Sequence, residues 1–163
     1  MSFVANQPNP APQTLQNLPT LAADHGLFPD IDMNRLRQSI RIDGTVTPER
    51  LQLAARAAQQ QLGRELQPLH ALGLASLWQL NPHQRDVVIA EKPAYSPSEE
   101  LYFRAICCLT SAELTDRYRS FDSSSEGDRR ANVLEETIGN LRRDARWAIR
   151  DLLGLPRSTV ELI

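Results

Sequence analysis

From Ala131 onward, apolar residues return at alternating steps of three and four: Ala131, Leu134, Ile138, Leu141, Ala145, Ala148 and Leu152. That rhythm keeps the apolar side chains on one stripe of an α-helix, whereas a half-buried strand would alternate every second residue. A long helix over residues 128 to 151 follows, with Leu155 and Pro156 just beyond to stop it. A helix with one greasy stripe must bury it against other helices, so the fold class is set: an all-α small bundle, whose partner helices lie upstream.

Those partners carry start signals. Thr47 can accept a hydrogen bond from the free N–H groups of a new helix, and Pro48 stands where a missing N–H costs nothing. Leu51, Ala54 or Ala55, Ala58 and Leu62 then form a stripe. Ser96, Pro97 and Glu99 form a second start, in the arrangement of a capping box, before a helix reaching about Arg119. Its core face reads Leu101, Ala105, Cys108 or Leu109, and Ala112. A shorter helix follows LFPDID, capped by Asp30 or Asp32, with Leu36 and Ile40 on one face and Gly44 as its end. About four helices over residues 27–155 make the domain.

Three segments fall outside this pattern. Residues 1–26 hold Pro8, Pro10, Pro12 and Pro19 and only Asp24 as a charged side chain, the composition of an extended arm; Leu15, Leu18 and Leu21 could lay it on a partner or a neighbouring subunit. Residues 66–97, broken by Pro68, Gly73, Pro82 and Pro93, read as an irregular loop: either a small substructure or a projecting functional loop, with DVVIAEK as a possible short strand. The tail, residues 156–163, alternates Thr159, Val160, Glu161 and Leu162 like an extended strand before Ile163. It can hook a partner through Arg157, Val160, Leu162 and Ile163, or fold back on its own bundle.

Charge and motifs narrow the function classes. Eighteen basic and 20 acidic residues give a formal charge of −2, and lysine occurs once, at Lys92, so no field draws the chain to DNA. No apolar run suits a transmembrane helix and the start lacks the pattern of a secretory signal; a soluble chain made in the cytosol is expected. Cys107 and Cys108 are adjacent, a poor geometry for a disulfide, and read as small buried or half-buried thiols. His25, His70 and His83 have no ligand spacing, and GxxxxGK[ST], GxGxxG and GxSxG are absent. The expectation is no catalytic residue, no cofactor and no metal.

Between the last two helices, LTDRYRSFDSSSEGDRRA places three serines between arginine-bearing flanks. Asp122, Gly127 and Asp128 suit a turn with its caps, and the acids oppose an anion site at the helix start. Along residues 128 to 151, six arginines face five acids, the mixture of an ion-paired face. Trp147, beside Arg143, Arg146 and Arg150, is either a core anchor or, with Arg143, an interface hot spot.

The order of short motifs is more specific than any one of them. FPDID at 28 to 32, TV and RL within TVTPERL at 45 to 51, RYRSFD at 117 to 122, the S…GD ending at Asp128, LRRDARWA at 141 to 148 and PR at 156 and 157 occur in series. The set resembles the head completion/stabilisation (L protein) family of temperate contractile-tailed bacteriophages. That resemblance implies a structural protein of the virion that joins the DNA-filled head at the portal vertex, retains the genome and serves as head-to-tail adaptor. The implied partners are the portal protein, neighbouring copies in a ring of twelve, and a neck or tail completion protein, with packaged DNA passing through unread. From the residues alone, an all-helical regulatory or antitoxin-like interaction module fits as well.

Overall fold

The computed structural model describes residues 17–23, 26–41, 46–83, 89–117 and 125–157, and the side chains of the last helix from Val133 onward. Four α-helices are present among them: α1 (Met33–Ser39), α2 (Pro48–Glu65), α3 (Pro97–Arg117) and α4 (Ser125–Leu153). Two short 3-10 helices, Gln67–Leu72 and Leu77–Gln79, lie between α2 and α3. The all-α bundle read from the sequence is the fold observed.

Helix α3 is the central element. It packs against α2 on one side and α4 on another, and the Leu77–Gln79 turn also rests on it. A helix covered from several sides must be apolar around much of its circumference, and α3 buries Tyr102, Ala105, Ile106, Leu109, Ala112 and Leu114 together with Ser98 and Thr110. The other helices bury one stripe each: Leu51, Ala54, Ala55, Ala58 and Leu62 on α2, and Ile138, Ala145, Ala148, Ile149 and Leu152 on α4. Leu134 and Leu141, which continue the repeat, are only half-buried.

The starts of the helices use the expected caps. Asp32 Oδ1 accepts from the Asn34 and Arg35 amides at 2.8 and 3.2 Å, Thr47 Oγ1 accepts from Arg50 N at 3.4 Å, and Ser96 Oγ accepts from Glu99 N at 3.3 Å. Each satisfies a donor that the first helical turn leaves free. Glu99 takes the Lys92 ammonium at 3.1 Å. Helix α1 ends at Ser39, short of Gly44, with Ile40 already extended and buried.

The amino-terminal segment corrects one boundary. Leu21 and Ile31 form an antiparallel bridge, Leu18 N donates to Asn34 Oδ1 at 3.1 Å, Ala23 N donates to Asp30 Oδ1 at 2.8 Å, and Gln59 Nε2 donates to Ala22 O at 2.8 Å. Leu21 is 1% exposed and Leu18 packs on the same core, so these beads of the arm serve their own domain. Leu15 lies outside the described residues. FPDID now has a physical meaning: Phe28 stacks on Tyr102 at 5.2 Å and meets His70 edge-on at 5.7 Å, Asp30 holds Ala23, Ile31 pairs with Leu21, and Asp32 caps α1.

The middle segment is a packed substructure over its described part, since Leu66, Leu69, Leu77 and Leu80 are all buried. Gly73 turns the chain at φ 66°, a conformation that suits a residue without Cβ. Leu77 N donates to Leu27 O at 2.7 Å and the Ser98 hydroxyl donates to Leu80 O, tying this segment to both ends of the bundle. Asp86, Val87 and Val88 of DVVIAEK lie outside the described residues; Ile89 N donates to Gln79 O at 3.0 Å, and residues 89–92 form no strand.

Helices α3 and α4 run antiparallel, for Asp116 meets Arg142 at 2.9 Å near one end and Pro97 shares a groove with Asp151 at the other. The first half of α4, up to Leu141, spans about 25 Å, at about 1.5 Å per residue, and buries Ile138. Because α4 begins at Ser125, Gly127 and Asp128 lie inside its first turns. Asp128 is thus too deep to be the N-cap. Asp122 lies outside the described residues.

Candidate interaction surface at the end of the last helix

Helix α4 stops because Gly154 adopts φ 60°. Leu155 N donates to Arg150 O at 2.8 Å and Gly154 N to Asp151 O at 3.1 Å, the pair of bonds that closes a left-handed helix end. The stop expected at Leu155 and Pro156 is made one residue earlier by this glycine. Two further contacts hold the next residues down. Arg150 Nε donates to Pro156 O at 2.7 Å, and the Arg157 fork grips the Asp151 carboxylate, Nε to Oδ1 at 3.0 Å and Nη2 to Oδ2. Hydrogen bonding and the charge of Asp151 raise the Arg157 pKa further above its ordinary value.

This fold-back gathers three of the residues proposed as partner contacts. The Arg143 guanidinium lies 4.8 Å from the Trp147 ring centre and that of Arg157 lies 5.5 Å from it, both within reach of the ring's electron-rich face. Trp147 is half-buried and outside the core cluster, so the core-anchor alternative fails. Its place on the helix explains why: Ala145, Ala148, Ile149 and Leu152 fill the buried stripe, and Trp147 faces its edge. Val160, Leu162 and Ile163 lie outside the described residues.

Beside this cluster opens a groove of about 670 Å³. Pro82, His83 and Tyr95, the start of α3 and the end of α4 form its walls, with Leu101, Arg104, Leu155 and Arg157 among them. Tyr95 is 66% and Leu155 45% exposed, two of the five large apolar side chains that the described residues leave open. The sequence reading missed Asp151, Gly154 and Tyr95. A signal existed for the first two, a carboxylate six residues before an arginine across a Gly-Leu-Pro stop, but only the closed turn makes it a contact.

The chemistry of the remaining candidates is quiet. Cys107 and Cys108 are free thiols; burial, followed by the neighbouring thiol, pushes Cys107 up to about 12, and burial raises Cys108 as well. Neither is a ready nucleophile at neutral pH. Among the described residues no three His, Cys, Asp or Glu converge as a metal site, and no helix is long and apolar enough to cross a membrane. Thr47 and Ser96 hold helix starts, as described above.

Residues 22–163 match the family model described as phage head completion protein (GPL). The chain is also 35% identical over 136 residues to the head completion/stabilization protein of Escherichia phage P2, covering 83% of this chain and 79% of that one. No solved structure matches.

Proposed function

Since the chain belongs to the family of phage head completion proteins and has a structural role in completing the head, we propose that it acts at the portal vertex as a head-to-tail adaptor. In this reading, copies assemble as a ring on the portal, in the neck of the virion, and offer their outer surface to the next neck or tail protein. Packaged DNA passes through without being read. The chain is made in the host cytoplasm, where heads assemble.

The observation that carries this reading is the cluster of Trp147, Arg143 and Arg157 at the end of α4. Tryptophan and arginine are the residue types that dominate protein interfaces, and here they are held in fixed geometry at the surface. The root of the tail, Leu155 to Arg157, is pinned to the last helical turn, which gives Val160, Leu162 and Ile163 a defined point of departure toward the portal. Rotational closure of a ring needs two different complementary surfaces on each copy. The first half of α4, at the other end of the helix from the tail, supplies a second surface, with Val133 63% exposed on it.

Purified chain mixed with purified portal rings tests the proposal. Co-migration in size exclusion chromatography, with a ring of added density on the portal by electron microscopy, is expected. A chain that leaves the portal unbound at concentrations well above those of assembly overturns it.

A further inference from the structure

The groove beside the Trp147 cluster has no role in the fold, since Tyr95 and Leu155 stand exposed on its walls where burial would stabilise them. Its volume, about 670 Å³, lies in the range of sites that enclose a ligand or short peptide. Pro82, Tyr95, Pro97, Leu101 and Leu155 provide an apolar surface. Its carboxylates are engaged: Glu100 takes Arg35 at 2.7 and 2.8 Å, and Asp151 takes Arg157. Among the described residues that line it, Arg104, which also hydrogen-bonds the Cys108 side chain, is the arginine not paired with either of these carboxylates and can meet an incoming anion. The groove thus suits an apolar segment carrying one negative charge.

One segment of this chain has that chemistry and begins at the rim. Arg157 is itself a wall residue, and Ser158 to Ile163 follow it with Val160, Leu162 and Ile163 as apolar groups and Glu161 as the single charge. Six extended residues reach about 20 Å. We propose that in the free protein this groove is the seat of the chain's own residues 158–163, with Val160 and Leu162 on the apolar wall and Glu161 toward Arg104. A short tether presents the segment at an effective concentration in the millimolar range, so weak contacts suffice to keep it seated. The portal then competes with the groove for the same residues, a consequence that rests on the function proposed above; the seat itself does not.

A labelled synthetic hexapeptide, Ser158 to Ile163 in sequence, serves as probe against the full-length chain. The double variant V160D/L162D empties the groove without touching the described core. Saturable peptide binding to this variant is expected, with binding to the unaltered chain at least roughly tenfold weaker because its own tail competes. Adding Tyr95→Ala to the double variant should remove the binding. Equal binding to the unaltered and double-variant chains means that the groove stands vacant and overturns the seat. No binding to the double variant overturns the site itself. An oligomer of the unaltered chain that V160D/L162D dissolves shows the tail seated in a second copy and overturns the intramolecular form. All three readouts use the isolated protein, so they are independent of whether it binds a portal.

Discussion

Leu21 and Ile31 exchange two backbone hydrogen bonds, each of 2.9 Å, and both side chains are 1% exposed. Of the nine residues between them, several make contacts of their own, since Phe28 stacks on Tyr102 and Asp30 holds the Ala23 amide. The bridge carries the segment leading out of the amino-terminal arm onto the core, where Gln59 of α2 clasps it from the other side.

Leu21→Ala is therefore a core mutation. It should cost about 2–5 kcal/mol in urea denaturation, the range for a buried leucine replaced by alanine. Leu53→Ala, at a position 57% exposed, should stay within about 0.5 kcal/mol. Equal effects at the two positions would show that the arm's base is not part of the fold.

Asp32→Ala removes an oxygen that accepts from two backbone amides, and a loss of about 0.5–2 kcal/mol is expected. Asp32→Asn should recover most of it, because the amide oxygen still accepts. Thermal melts of the pair separate the cap from any effect of charge.

Gly154→Ala tests the helix stop. A side chain at φ 60° is strained, and the substitution should lower stability by about 1–2 kcal/mol. If the melting temperature is unchanged, the turn that brings Arg157 back to Asp151 is not held by that glycine.

Arg157→Ala should separate binding from stability. The Arg157–Asp151 pair is exposed on the arginine side, at 50%, and screened by solvent, so its loss should leave the unfolding free energy nearly unchanged. Portal affinity should fall by roughly tenfold, the effect of losing an interface arginine of moderate weight. A variant that melts normally and binds the portal at full strength would remove this cluster from the interface.

Thiol alkylation follows from the environment of Cys107. Its folded pKa is raised to about 12, so the neutral thiol persists in the folded state where an unfolded chain has already ionised. Modification at pH 8 should be slower than for an unfolded control by on the order of a thousandfold in thiolate fraction. The linked contribution to stability is complete below the unfolded thiol range near 9 and is lost as pH rises toward 12, because there the unfolded state binds fewer protons. Urea titrations at pH 8 and pH 10.5 should show the decline.

Much was set by the sequence alone, wherever the determining interactions are local. The three-four spacing of Ile138, Ala145, Ala148 and Leu152, the stripe of α2, and the caps at Asp32, Thr47 and Ser96 all depend on residues one helical turn apart, which the chain order displays directly. The series of motifs from FPDID to PR identified the family without reference to the fold. The tertiary structure alone decided that Leu21 belongs to the core, that Leu69, Leu77 and Leu80 pack an irregular segment onto α3, that Trp147 stands at the edge of the buried stripe, and that Arg157 returns to Asp151. These are pairings between separate elements or across a closed turn. Arg35 reaching Glu100 is the extreme case, 65 positions apart: spacing along the chain carries no record of such a partner, and burial is settled only when every neighbouring surface is in place.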